Sequence, residues 1–365
     1  MRILHIDTGL AMRGGQAQLM MLVRGLRDKG HEQTIACPPQ SQLAKAAATE
    51  AFTTIDISRG YWDASRTIRQ FLKANPSDIA AAHDSRAQTI SYLATAGTRI
   101  ERIADRLVAF DPRNRFIHRL KYTYTCDIVI ASSQAAKDTM VRNGVPAGHI
   151  EVVRGGIDVP AELPNRADAR VRMRTQWKLD ANDFVIGHLA AFTREKGQLD
   201  ALDALIALLP RHPQLRMVLA GDGPLRNDPK TKSRVSATHG AAQLPGYIQP
   251  DAEFYAGLDL FLANSTSEAL GLAPLYAMAH EVPVIASNVG GLPEVVGDCG
   301  WLVPPSDPAA LAAAIERAML DPLFLREKGL EARQQAQGFP VSVTINRTEA
   351  IYRRISGRGN TGSLA

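Results

Sequence analysis

Three stretches in the second half of this chain have the residue types and spacing to hold a charged ligand. The first reads Ser265-Thr-Ser-Glu268-Ala-Leu270-Gly271-Leu272-Ala-Pro274-Leu-Tyr276. It puts an acid at a strand tip, then a glycine turn, then the start of a helix. A helix start offers unpaired backbone N–H groups and a positive dipole end, so it attracts phosphate. Glu268 accepts hydrogen bonds from neutral hydroxyls but repels a phosphate. An anion cradle beside a hydroxyl acceptor suits a sugar attached to a diphosphate. The second stretch, Phe192-Thr-Arg194-Glu-Lys196-Gly197, reads as a lysine opening a helix after a strand. There it is a point charge suited to a phosphate, set against the ordinary fate of a lysine, which is solvation. The third, Gly221-Asp222-Gly223-Pro224, lacks the third glycine of the dinucleotide fingerprint, and its proline argues against a nicotinamide site.

The first half carries weaker signals. Gly14-Gly15 follows the first strand and is either a turn requiring positive φ or a side-chain-free approach to a phosphate. His83-Asp84 ends a strand, as a functional histidine or as a helix cap beside an incidental one. Asp105, Arg106 and Asp111 are polar residues near the next strand end. From Arg113 to Tyr122, the cations Arg113, Arg115, Arg119 and Lys121 interleave with Phe116, Ile117 and Leu120. This is a helix with one buried and one solvated basic face, or else a basic and apolar surface for an anionic membrane. Glu294 reads as a first-turn helix charge.

The elements that must position these residues alternate strand with helix. Strands are expected at residues 3–6, 33–37, 78–82, 102–110, 127–131 and 151–153, and again at 184–189, 216–220, 258–262, 284–286 and 301–303. The first helix carries Leu19, Leu22, Val23 and Leu26 on one face and ends at Gly30. Such alternation, twice over, predicts an α/β fold of two Rossmann-like, doubly wound parallel sheets, with ligands in the cleft between the lobes. The expected domains are residues 1–165 and 166–339, with a linker at 159–183. A helix at about 340–356 packs back on the first domain, and 357–365 is a disordered tail. A chain of 365 residues fits two cores, and 45% hydrophobic with 22% charged residues excludes a disordered chain. No apolar run is long enough to span a bilayer, and the N-terminus reads straight into a strand. Cys37, Cys126 and Cys299 are unpatterned, which fits reduced thiols and a cytoplasmic chain. The net charge of +5, without basic runs interleaved with aromatics of the nucleic-acid-reading kind, leaves no reason to expect a nucleic-acid partner.

Over residues 1–353, and most specifically 184–305, the chain resembles family 4 glycosyltransferases, retaining enzymes of the GT-B fold. Their signature has two glutamates separated by seven residues. Glu268 stands at the first position and Tyr276 at the second. The resemblance implies that Glu268 contacts the donor sugar, that the amides of Leu270, Gly271 and Leu272 hold its diphosphate, and that Tyr276 faces the ribose. Gly15 and Lys196 match donor-diphosphate positions, although an expected Gly-Arg pair reads Ala190-Ala191 here. Gly223 lies near the nucleotide in such enzymes. Tyr247 falls in the segment that reads the base edge, or is a surface aromatic. His83, Asp105 and Arg106 fall on the acceptor side, with Leu107 where relatives carry a basic residue.

The implied reaction moves a sugar from a nucleotide-diphosphate donor, a UDP-sugar, to an acceptor hydroxyl with retention. Glu268 and Lys196 are the catalytic pair, and no metal or other cofactor takes part. The implied acceptor is a glycan or glycolipid of lipopolysaccharide or another cell-surface polymer. The enzyme would lie in the cytoplasm, peripheral on the inner membrane. The alternative is a degenerate homologue that binds without turnover, since Tyr276, Ala191 and Leu107 break the pattern.

Overall fold

The structure, a computed structural model, describes residues 1–57, 60–106, 114–249 and 251–358, the side chains of Arg106 and Arg358 excepted. Leu107, Asp111, Arg113 and the strand end at Phe110 lie outside the described residues; of the tail expected at 357–365, Gly357 and Arg358 instead end the last helix and the rest lies outside. The chain forms two compact units, Met1–Gly156 with Val341–Ala365, and Ile157–Pro340.

Unit 1 is built on β1 (Arg2–Ile6), β2 (Glu32–Cys37), β3 (Thr53–Asp56), β4 (Ile79–Ala82), β5 (Glu101–Arg106), β6 (Ile128–Ala131) and β7 (Ile150–Val152). They form one parallel sheet in the order β3-β2-β1-β4-β5-β6-β7. Strands such as Ile-Ala-Ala-Ala and Ile-Val-Ile-Ala are buried at every residue, as a parallel sheet covered on both faces requires. One face packs Ile3, Ile79 and Ile103 against Leu22 and Leu26 of the helix Gly14–Asp28 and Ile345, Tyr352 and Ile355 of the helix Val341–Arg358. The other packs Leu4 and Ile6 against Ile68 and Ile90, from the helices Tyr61–Ala74 and Ser85–Thr95.

Unit 2 is built on β8 (Phe184–Leu189), β9 (Leu215–Ala220), β10 (Ala242–Gly246), β11 (Leu260–Ala263), β12 (Val284–Ser287) and β13 (Trp301–Val303), again all parallel, in the order β10-β9-β8-β11-β12-β13. Val185, Phe261 and Val284 enter one apolar cluster, while Ile186, Leu260 and Ile285 enter the other. This is the period-two alternation of a strand with two buried faces.

The units divide after Gly156 instead of at residue 165, and residues 159–183 are not a linker. They contain the helix Arg166–Gln176, whose Met173 is buried in the unit 2 core. Its Arg174 guanidinium donates to the carbonyls of Asp180, Ala181 and Asp183 and to the Asp259 carboxylate. Many of the charges that suggest a linker belong to this helix, and Pro160 and Pro164 lie in the segment that leads into it. Strands β3 and β10 were not expected from the sequence, and both are sheet edges. Thr-Thr-Ile-Asp exposes three of four residues and Ala-Gln-Leu-Pro-Gly holds a Pro-Gly pair, so neither shows the apolar run of a central strand. The three cysteines are buried free thiols; burial pushes Cys37 and Cys299 to about 11 and Cys126 to about 12.

Candidate functional site

In both sheets the strand order reverses once, between β1 and β4 and between β8 and β11. In such sheets ligands bind outside the carboxyl ends of the strands at this switch point. Lys196 and Glu268 lie on the two loops that leave the unit 2 switch point, after β8 and β11.

Lys196 does not open a helix. It closes the 3-10 turn Arg194–Lys196, and Gly197 intervenes before the helix Gln198–Leu208. The turn is fixed from three directions. His188 Nε2 lies 3.0 Å from the Lys196 carbonyl, the Asn264 side-chain amide donates to the Gly197 carbonyl at 2.7 Å, and Thr266 N–H donates to the Glu195 carbonyl at 2.8 Å. Burial lowers His188 to about 4, so the ring is neutral and the nitrogen facing the carbonyl carries its hydrogen.

Held there, Lys196 Nζ sits 2.6 Å from Glu268 Oε2, each side chain 22% exposed. The ammonium has three donors and Glu268 takes one, which leaves two for a second anion. The Glu268 carbonyl accepts from Gly291 N–H at 3.1 Å. Beyond it, Leu270 is buried, and Gly271 caps the helix Leu272–Ala279 from the left-handed region at φ 104°. The first N–H groups of that helix, at Leu272 and Ala273, have no carbonyl one turn back within the helix to bond, and Pro274 has no N–H. The sequence reading of an acid, a glycine turn and a helix start therefore holds locally, with the lysine paired to the acid.

The other donor-side residues are arranged differently. Gly223, at φ 155°, would place a Cβ 2.6 Å from the Phe192 carbonyl oxygen, so its missing side chain serves packing between the loops after β8 and β9. Tyr247 is 62% exposed on the surface. Tyr276 is half-buried against the apolar cluster that contains Tyr255, and its carbonyl accepts from His280 Nδ1 at 2.7 Å. Arg194 is exposed, and Glu294 stands in the first turn of the helix Leu292–Val296.

Unit 1 places its candidates around its own switch point. Gly14 and Gly15 form the first turn of a helix, and neither has positive φ. Asp84 caps the helix Ser85–Thr95, accepting from Arg86 and Ala87 N–H. His83 is 5% exposed with both ring nitrogens engaged, Nδ1 by Asp105 at 2.6 Å and Nε2 by His5 at 3.0 Å. A histidine so enclosed is not the ligand-facing residue expected from the sequence. His5 and His188 were not singled out from the sequence. Their only signal is a histidine at an inward position of a strand otherwise apolar on that face.

The helix Arg115–Tyr124 has one buried and one solvated basic face, and its large apolar residues lie on the solvated one. His118 and Tyr122 face inward, their rings 4.7 Å apart, while Phe116, Ile117, Leu120 and Tyr124 are 68%, 61%, 38% and 67% exposed. Arg115 and Arg119 are exposed beside them, and Lys121 donates to Ser85. Among the described residues no helix is long and apolar enough to cross a membrane, and no group of three or more His, Cys, Asp or Glu residues could hold a metal ion.

Residues 183–321 match the family described as glycosyl transferases group 1, and residues 12–160 match glycosyltransferase family 4. The chain is 30% identical over 254 residues to an alpha-maltose-1-phosphate synthase of Mycolicibacterium smegmatis, an alignment covering 63% of this chain and 64% of that one. It is 27% identical over 264 residues to a D-inositol 3-phosphate glycosyltransferase of Corynebacterium jeikeium, covering 69% and 63%. The chain thus spans less than two thirds of the length of these curated relatives. Its fold superposes on that of Anabaena HepE, solved in complex with UDP-glucose, with a TM-score of 0.86 at 20% identity over 96% of this chain and 99% of that one.

Proposed function

The chain belongs to the family 4 glycosyltransferases, with two GT-B-type parallel-sheet domains, and from that premise we propose that it transfers a sugar from a UDP-sugar to an acceptor hydroxyl with retention. The observation that carries this reading is the Lys196–Glu268 pair at 2.6 Å beside the start of the helix Leu272–Ala279. It combines a cation, a hydroxyl-accepting carboxylate and helix-start amides within one turn of chain on either side of a switch point. In the proposed reaction Lys196 and the amides of Leu270, Gly271 and Leu272 take the negative charge that builds on the departing diphosphate. Glu268 orients the donor sugar through its hydroxyls. The departing phosphate oxygen receives the acceptor proton, so no separate enzymatic base is needed. Gly223, Tyr247 and Tyr276 are assigned to the nucleotide end, and His83, Asp105 and Arg106 to the acceptor side, His83 acting from within.

Calorimetric titration with UDP, other nucleoside diphosphates and UDP-sugars tests the reading. UDP should bind, and Lys196→Ala should weaken it by about 1.5–3 kcal/mol, the range for a hydrogen bond to a charged group. A folded protein that binds none of these compounds, or a Lys196→Ala variant with unchanged affinity, sinks it.

We further propose that the helix Arg115–Tyr124 rests on an anionic membrane, where a glycolipid of cell-surface or lipopolysaccharide type presents the acceptor hydroxyl. Phe116, Ile117, Leu120 and Tyr124 support this by being exposed together beside Arg115 and Arg119. Phe116→Ser with Ile117→Ser should reduce partitioning to phosphatidylglycerol vesicles about 10- to 100-fold, from the apolar area withdrawn. Raising the salt should weaken what remains, because exposed charges are screened. Equal partitioning of the double variant, or binding to neutral vesicles as strong as to anionic ones, removes the proposal.

A further inference from the structure

Unit 1 holds a chain of four polar side chains, three of them buried, that packing alone does not explain. Gln33 Oε1 lies 2.7 Å from His5 Nε2, His5 Nδ1 lies 3.0 Å from His83 Nε2, and His83 Nδ1 lies 2.6 Å from Asp105 Oδ2. The two imidazoles stack with centroids 5.2 Å apart, and neither is more than 5% exposed. The hydrogens follow from the partners. An amide oxygen only accepts, so His5 Nε2 carries a hydrogen. Neutral His5 then has a bare Nδ1, which accepts from His83 Nε2. The Asp105 carboxylate accepts from His83 Nδ1. His83 therefore carries a hydrogen on both nitrogens and is a cation.

The physical environment agrees with this assignment. Burial opposes a charge on His83, but Asp105 by charge and hydrogen bond, with Asp7 and Asp84 beyond it, outweighs burial and raises the ring above the ordinary histidine value. Burial first, and the neighbouring His83 second, lower His5 to about 3.

That charge lies under the loop after β1. Asp7 accepts from Gly9 N–H at 2.8 Å and from the Gln16 side-chain amide at 3.0 and 3.1 Å. Asp84 accepts from Thr8 N–H at 2.6 Å and Thr8 Oγ1 at 2.9 Å through one oxygen, and caps its helix with the other. Two carboxylates thus organise residues 7–16, which include the Gly14-Gly15 helix start. Burial pushes Asp7 above the ordinary carboxylate range, and His83 pulls it back. The groups facing His83 are His5 and Asp7 from β1 and its end, Asp105 from β5, and Asp84 on its own segment. From the helix Val341–Arg358, Tyr352 faces Asp105, and burial keeps its phenol neutral.

We propose that Asp105 and His83 are positioning residues for the loop after β1: the Asp105 carboxylate fixes an imidazolium that sustains Asp7 as the buried anion which, together with the Asp84 cap, organises residues 7–16. Any consequence for sugar transfer rests on the acceptor-side reading above; the device itself does not. The sign of its pH dependence follows from linkage. A histidine whose folded value is raised stabilises the loop fully below its unfolded value of ~6.5 and loses that contribution as the pH rises through the folded value. Past that point the buried Asp7 carboxylate lacks its cation, and the loop opens.

The test is an NMR titration of the histidine ring nitrogens in the full chain, with hydrogen exchange at the Thr8 and Gly9 amides. His83 should stay doubly protonated above the ordinary histidine value while His5 stays neutral far below it. Asp105→Asn should lower the His83 midpoint by about one unit or more, the effect of losing an adjacent opposite charge. Protection of Thr8 and Gly9, corrected for the intrinsic pH dependence of exchange, should fall about tenfold or more as wild-type His83 deprotonates. A His83 that titrates at or below the ordinary value, or protection that stays constant through its titration, overturns the proposal. If Asp105→Asn does not fold, the two wild-type measurements decide alone. None of these readouts requires a nucleotide, so a chain that binds no UDP would sink the transferase reading and leave this one standing.

Discussion

Glu268→Gln should cut release of UDP from a UDP-sugar by about a hundredfold or more while leaving UDP affinity unchanged or slightly tighter. The expectation comes from the 2.6 Å contact between Glu268 and Lys196. In free protein the carboxylate occupies one of the three donors of the ammonium; the amide that replaces it carries no charge, so Lys196 meets an incoming diphosphate less encumbered. The sugar loses the charged acceptor that orients it, and loss of one preorganised group at a charge-developing centre costs on the order of 10²–10³ in rate, about 2.7–4 kcal/mol. Lys196→Ala moves UDP affinity the other way, so the two variants form an opposed pair. Isothermal titration with UDP, set beside steady-state release from UDP-glucose, measures both quantities. If Glu268→Gln lost affinity and rate in equal proportion, Glu268 would belong with the nucleotide or the scaffold and not with the sugar.

Gly290→Ala should strongly destabilise unit 2. Gly290 has φ 55°, and an added Cβ would stand 1.8 Å from the Glu268 carbonyl oxygen. No rotamer relieves a clash with backbone, so either the turn after β12 or the strand tip after β11 must move. A non-glycine residue in a sparsely populated backbone region costs about 1–3 kcal/mol before any clash, and displacement of packed backbone adds to it. A total near 3 kcal/mol corresponds to a fall of about 6–12 °C in the melting of a unit this size. Differential scanning calorimetry resolves it, and amide exchange in β11 and β12 confirms which unit is affected. The same shift carries Glu268 away from Lys196, so a refolded variant should also transfer poorly. A melting change under about 2 °C would mean that the loops after β11 and β12 are not locked together as described.

Much of the unit 2 site was legible in the chain. Glu268, Gly271 and the helix start were expected because their logic is local. A strand tip, a left-handed glycine and free helix amides need only a few consecutive residues to define them. Lys196 was found by type and by its place after β8, but its 3-10 turn was not. That turn is closed by His188, Asn264 and Thr266, two of which come from the far side of the switch point. The exposed face of the helix Arg115–Tyr124 is ambiguous in the sequence, because Phe116, Ile117 and Leu120 have the spacing of a buried stripe. Only the packing of His118 and Tyr122 against unit 1 shows that the larger apolar residues face outward.

By itself the sequence determined what depends on neighbours along the chain. The central strands were visible because both faces of a parallel sheet must be apolar; the cap at Asp84 was visible because a cap is satisfied within three residues. The family followed from a signature that is itself a run of adjacent residues. The tertiary structure alone decided what depends on partners far apart. His5, His83 and Asp105 are separated by 78 and 22 positions, yet the strand order β1-β4-β5 sets them side by side. The 72 positions that separate Lys196 from Glu268 collapse to one ion pair because β8 and β11 are neighbours across the switch point. Both outcomes have one cause. Parallel pairing joins residues across whole crossover helices, so the register that assembles these polar clusters is written in no local pattern.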